Sequence, residues 1–194
     1  MGEERRFRRA RGGLRGDRGA LQHLLARGGE LHLAQAGGPG EDPLEVGECR
    51  YAREDTVFSY KNCVVAEHNG EMIGMPVAFP METEPEPGEP EGEEDPVLTP
   101  YGELERPGSY YVCGMALFPE HRGRGLGARM LGLAREEARR RGLAEMSLIV
   151  FEQNAGAKRL NERHGFREVA RRPVVPHQLI RYTGDALLML AEVA

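Results

Sequence analysis

Between residues 126 and 138 apolar side chains return every three or four positions. Leu126, Met130, Leu133, Ala134 and Ala138 would line one face of a helix expected over about 124–141, leaving its arginines and glutamates to solvent. Upstream the period changes to two: Ile73, Met75, Val77 and Phe79 alternate with their neighbours, as a half-buried strand does. This run and Cys63 to Ala66 flank Asn69-Gly70, the pair best suited to a tight hairpin turn, because both residues tolerate positive φ. Pro76 cannot donate to a ladder, which predicts an edge position or a bulge for the second strand. Further strands are expected over about 109–117, 145–151, 166–172 and 185–193, with a short helix over about 155–164. Near the start, Leu21, Leu24 and Leu25 share a face within Asp17 to Arg27, and a weaker helix covers about 30–36. Helices, a hairpin, then strand-helix-strand-helix-strand-strand define an α/β (α+β) domain around a mixed sheet.

Composition narrows this picture. A chain of 194 residues is expected to form a single domain over 1–194, and about 70% burial of its unfolded surface needs no metal or disulfide staple. Cys49, Cys63 and Cys113 are odd in number and lack metal-ligand spacing, so no metal site is expected. No apolar run approaches the ~18 residues of a membrane span, which predicts a soluble cytoplasmic protein without membrane partners. The net charge of -5 is unevenly spread: residues 1–18 hold seven arginines, and residues 82–95 hold eight acids and no base. Without interleaved aromatics the basic segment points to a solvated tail or a frayed first strand, and no nucleic-acid partner is expected. Residues 81–108 are rich in proline, glycine and glutamate without a visible period, and are expected to form a long acidic insertion between strands. If that insertion borders a cleft, its charge favours a cationic substrate.

Chemistry concentrates in Pro119-Glu120-His121-Arg122-Gly123-Arg124-Gly125-Leu126-Gly127-Ala128, between an expected strand and the long helix. Glycines let backbone N–H groups approach a ligand, a helix start adds positive potential, and Arg122 and Arg124 add charge, so the segment suits a pyrophosphate. Gly123, Gly125 and Ala128 also satisfy the dinucleotide form G-x-G-x-x-A, with Glu152 as the acid for a ribose. Four residues intervene before the first glycine, however, and little parallel chain follows, so a dinucleotide-binding oxidoreductase is the remote alternative. A Walker A loop is excluded, since no Gly-Lys-Ser/Thr follows.

Arg122, Gly125 and Gly127 also fit [QR]-x-x-G-x-[GA], and Asn154, Ala157, Leu160 and Gly165-Phe166 follow an intervening strand as in N-x-x-A-x-x-L-Y-x-x-x-G-F. In these two segments, about 30 residues apart, the chain resembles the GNAT family of N-acetyltransferases. The resemblance is close over 109–166, extends plausibly over 60–193, and is loose over the first 50 residues. It implies a strongly twisted mixed sheet of six or seven strands flanked by about four helices, with the fourth and fifth strands splayed around acetyl-coenzyme A as co-substrate. By position, Arg122, Gly123, Arg124, Gly125, Leu126, Gly127 and Ala128 would hold the pyrophosphate. Backbone at Ala116, Leu117 and Phe118 would pair with the pantetheine arm, and Asn154 would contact that arm. The implied reaction is direct attack by a small-molecule or peptide amine on the thioester in a ternary complex.

The chain departs from the family at Asn161, where a tyrosine commonly protonates the leaving thiolate. An amide can hydrogen-bond the sulfur but has no proton to give. Water, Tyr110, Tyr111 or Tyr182 would then supply the proton. Tyr111 stands where some members carry a glutamate base, although a phenol of ordinary pKa near 10 is a poor base. Glu103, Glu105 and His177 are the other base candidates, while Glu120 and His121 read as exposed loop residues. Asn161 and Tyr111 are thus the catalytic candidates, and an acetyl-coenzyme A sensor or interaction module without turnover is the alternative in a different class. Edge strands and the apolar run Ala186 to Ala191 make a homodimer reasonable.

Overall fold

The protein is described from a computed structural model covering residues 5–10, 49, 51–83, 96–177 and 180–193. Its strands are β1 (Arg5–Arg9), β2 (Val64–His68), β3 (Glu71–Pro80), β4 (Tyr110–Leu117), β5 (Glu145–Phe151), β6 (Arg167–Pro173) and β7 (Asp185–Glu192). The helices named within the described residues are α1 (Thr99–Gly102), α2 (Leu126–Arg140) and α3 (Ala155–Arg163). Hydrogen bonding runs in the order β1-β2-β3-β4-β5-β7-β6 along one mixed seven-stranded sheet. The chain forms two compact units, residues 1–78 with 114–127, and residues 79–113 with 128–194.

In the first unit the basic start is a strand: β1 pairs antiparallel with β2 from Arg5↔His68 to Arg9↔Val64. Asn69 and Gly70 take φ of 52° and 85°, the conformation a two-residue hairpin needs, and they fix the register of β2 on β3. β3 lies inside the sheet, so the edge placement of Pro76 does not hold. Its missing donor is accommodated by irregularity, since the β2–β3 register shifts between Ala66 and Glu67, and pairing resumes only as an isolated bridge, Cys63↔Val77. Cys63, Val65, Met75 and Val77 are fully buried.

In the second unit β4 pairs parallel with β5 only at Tyr110↔Met146 and Tyr111↔Ser147. β5 then pairs antiparallel with β7 along its whole length, from Glu145↔Glu192 to Phe151↔Ala186. Strand alternation assigns each side chain a face. Ile149, Phe151, Ala186 and Leu188 share one face, where they pack with Leu104, Val174 and the half-buried Tyr101 and Ile180. Met146, Leu148, Val150, Leu187 and Met189 are buried on the opposite face, and α3 lies against β5. Arg135 of α2 donates to the carbonyl of His164 at 2.7 Å, and Arg139 to that of Val193 at 3.0 Å, tying the helix to the ends of α3 and β7.

The helix expected over 124–141 is observed at Leu126–Arg140, and the strand expected over 145–151 at Glu145–Phe151. Inside the expected insertion, Thr99–Gly102 forms a helical turn whose follower, Leu104, is fully buried. The helices expected over 17–27 and 30–36, and residues 84–95 of the acidic stretch, lie outside the described residues. No helix among the described residues is long and apolar enough to cross a membrane.

Gly74 of β3 lies close against β4: a Cβ there would overlap the Ala116 carbonyl oxygen and stand 2.6 Å from Leu117 Cδ2. Gly74→Ala is therefore expected to destabilise the fold by about 1–3 kcal/mol, read as a lower denaturation midpoint in urea. An unchanged midpoint would mean the two backbones are not held this close.

Candidate active site

The segment that leaves β4 is built from main-chain groups. Phe118 N–H donates to the Ile73 carbonyl at 3.0 Å, ending the strand, and Pro119–His121 forms one 3-10 turn. Arg122 then reaches back: its Nε and Nη2 donate to the Leu117 carbonyl oxygen at 3.0 and 2.8 Å. This two-pronged grip fixes the loop to the strand it came from. Gly123 and Gly125 follow at φ of 70° and 76°, in the left-handed region that glycine enters without cost, and open space surrounds both. α2 starts at Leu126, which is buried and anchors the helix, and no acidic residue stands in its first turn. Two glycines one residue apart, a helix start and the exposed Arg124 give an open, positively biased backbone, and these residues fit a pyrophosphate. His121 is not an isolated loop residue; its ring meets that of His68 edge-on at 5.7 Å.

The backbone at Ala116, Leu117 and Phe118 is not uniform. Phe118 N–H is bonded to β3, and the Ala116 carbonyl crowds Gly74 of β3. Alternation turns the N–H and C=O of Leu117 away from β3, and the C=O is already held by Arg122. The Leu117 N–H is the donor of this trio that faces the open side.

The remaining candidates belong to the second unit. Tyr111 lies on the Phe151 face, its ring edge-on to Phe79 at 5.7 Å. Burial pushes its hydroxyl well above 10, and negative charge on Cys113, Glu105 and Tyr101 pushes the same way. A phenol in that setting stays protonated at neutral pH, which counts against Tyr111 as a base. Tyr101 is raised to about 12 by burial. Glu105 keeps solvent contact, yet surrounding protein strips part of its hydration and raises it above the usual carboxylate value. Glu103 is paired with Arg172. Tyr110 is buried in the core, Tyr182 stacks on Phe151 at 4.8 Å, and the His177 carbonyl accepts from Ile180 N–H at 2.9 Å.

Asn154 is the N-cap of α3: its side-chain oxygen accepts from Ala157 N–H at 3.2 Å. Asn161 is 3% exposed, and its Oδ1 has no hydrogen-bond partner among the described residues. An unmet buried acceptor costs about 1–3 kcal/mol, so this oxygen suits a ligand donor. The edge-on packing of Tyr101 on Phe151 at 6.2 Å was not anticipated from the sequence. The three-residue spacing of Leu98, Tyr101 and Leu104 within an otherwise polar stretch was the available signal.

Comparison with known proteins gives the family. Residues 38–166 match the family model described as the Acetyltransferase (GNAT) family. The chain belongs to that family, which makes it an acyltransferase, and acetyl-coenzyme A fits as its co-substrate. Among solved structures, one described only as an acetyltransferase superposes at TM-score 0.61 and 21% identity, covering 97% of this chain and 100% of its own. An IAA acetyltransferase from Bacillus cereus gives 0.58 and 14%, covering 97% and 99%. The NatC complex bound to Gag peptide and CoA gives 0.59 and 16%, covering 98% and 99%. No curated protein matches the sequence.

The raised Tyr111 hydroxyl sets an alkaline limit on stability. Below about pH 10 the phenol is neutral folded or unfolded. Above it the unfolded chain ionises first, and stability falls as pH rises toward the folded value. Tyr111→Phe should therefore lose less stability than wild type between pH 9.5 and 11, measured by urea denaturation at each pH. Parallel losses would show that the hydroxyl is freely hydrated.

Proposed function

We propose that this protein transfers the acetyl group of acetyl-coenzyme A to a primary amine by direct attack in a ternary complex. The observation that carries the reading is the Gly123–Gly125 loop at the start of α2, pinned by Arg122 to the Leu117 carbonyl. Acetyl-coenzyme A supplies the thioester. The amine lone pair adds to its carbonyl carbon, the carbon–sulfur bond breaks, coenzyme A leaves as thiolate, and the nitrogen sheds one proton. The loop from Gly123 onward binds the pyrophosphate with backbone N–H groups, the Arg122 N–H being held by the Pro119 carbonyl at 3.2 Å, and exposed Arg124 adds charge. Leu117 N–H is the donor for the oxygen that gains charge during attack, an effect on the order of 3 kcal/mol. Holding both reactants in register is the larger contribution, since effective molarities reach ~10⁵ M or more.

In the second unit Tyr111 contributes a neutral phenol donor, and the Asn161 carbonyl accepts a donor from the ligand. The Asn154 side chain holds the start of α3 and leaves its amide N–H groups for ligand contact. A protein of this kind acts in solution on a small-molecule or peptide amine.

The test is thiol release from acetyl-coenzyme A against polyamines, aminoglycosides, amino acids and lysine peptides. Release with one acceptor class is expected. Gly125→Asp, which places a negative charge and an L side chain at φ 76°, should raise KM for acetyl-coenzyme A at least about ten-fold while leaving the melting temperature within a few degrees. Binding without release for any acceptor would instead favour a sensor. No binding at all would overturn the reading.

A further inference from the structure

In the first unit the turn that precedes the glycine loop is held at both ends. Phe118 N–H is bonded to the Ile73 carbonyl of β3 at 3.0 Å before it, and Arg122 grips the Leu117 carbonyl after it. Between them the main chain of Pro119–His121 closes on its own segment: His121 N–H donates to the Phe118 carbonyl at 3.0 Å, and Arg122 N–H to that of Pro119 at 3.2 Å. A third hold comes from the hairpin. His68 ends β2, opposite Glu71 across the Asn69-Gly70 turn, and its ring meets that of His121 edge-on, with centroids 5.7 Å apart and planes at 62°. Both residues are half-buried, and all of these groups belong to the first unit.

His68 is itself well placed to hold something else. Its strand pairs with β1 at Arg5↔His68 and with β3 at His68↔Glu71, so a ladder on each side fixes its backbone. Its Nδ1 is enclosed and has no hydrogen-bond partner among the described residues. An enclosed nitrogen left unmet costs stability, so what this side chain contributes here is ring packing and not a polar bond through Nδ1. Edge-on ring pairs have a preferred geometry, which lets one ring orient the other. The ring so oriented is that of the residue next to Arg122, and positive φ begins one residue further on, at Gly123.

We propose that His68 is a positioning residue for the pyrophosphate loop: through the His121 ring it sets where the chain enters Arg122 and the glycines that follow. This rests on the transferase reading of that loop and adds to it a residue from the hairpin, outside the glycine segment. Its part is to lessen the ordering the loop would otherwise undergo when the anion arrives.

The test is calorimetric titration of coenzyme A into the whole protein, with amide NMR of the unliganded variants beside it. His68→Ala should weaken coenzyme A about three- to ten-fold and move the free-state amide signals of Gly123 and Gly125. His68→Phe, which keeps a ring and removes the unmet nitrogen, should bind within about two-fold of wild type, restore both signals and unfold at no lower a temperature. His121→Ala, on the turn itself, should reproduce the loss, and it carries the test where His68→Ala lowers the melting temperature by more than a few degrees. The double variant should bind no worse than either single one, since one contact is removed in all three. Unchanged affinity in both alanine variants, additive losses, or a loss that His68→Phe does not restore would overturn the proposal. Failure of wild type to bind coenzyme A would overturn the reading of the loop instead.

Discussion

The grip of Arg122 on the Leu117 carbonyl closes the chain on itself at the place where strand becomes helix. A guanidinium with two N–H groups on one oxygen fixes both the direction of its own side chain and the path of the four residues between the partners. With that path fixed, Gly123 and Gly125 can occupy positive φ in open space without the loop wandering, and Leu126 can bury at the first turn of α2. A preformed row of N–H groups needs no ordering when an anion arrives, which is where flexible glycine loops otherwise lose affinity. The same grip occupies the Leu117 oxygen and leaves the Leu117 N–H as the group the strand offers outward.

The second unit is organised by a different constraint, the early end of pairing between β4 and β5. After Tyr111↔Ser147, β5 is bonded to β7 alone, and its last side chain on that face, Phe151, stands beyond the region of pairing. The residues that cover this face come from the stretch around α1: Tyr101 and Leu104 shield the aliphatic centre and leave the rim polar. Partial cover explains why Tyr111 and Tyr101 hold their protons so firmly and why Glu105 is incompletely hydrated.

Much of this was legible in the sequence because the signals are local. Asn69-Gly70 states a turn geometry directly, the spacing of Leu126, Met130, Ala134 and Ala138 states a helix face, and the alternation over Glu145–Phe151 gives a strand. The glycine loop was also visible, since its spacing is written in consecutive residues. What stayed hidden depends on partners distant in the chain. Nothing near Pro76 tells that its strand lies inside the sheet. Arg122 reads as charge for a phosphate, and only the fold shows two of its N–H groups on Leu117. Asn154 reads as a ligand contact, and its oxygen proves also to cap α3. The aromatic cluster joins residues 101, 151 and 182 from three segments, which no period along the chain can announce.

On the proposed reading, the preformed backbone loop at the start of α2 receives the pyrophosphate. Amide NMR of ¹⁵N-labelled protein titrated with coenzyme A and, separately, with inorganic pyrophosphate reads those N–H groups directly. The amides of Gly123 through Gly127 should shift downfield and saturably with both ligands, with little change elsewhere in the loop from His121 to Arg122. Amides that stay in place while coenzyme A binds, or that shift only together with a general rearrangement of the loop, would contradict the account.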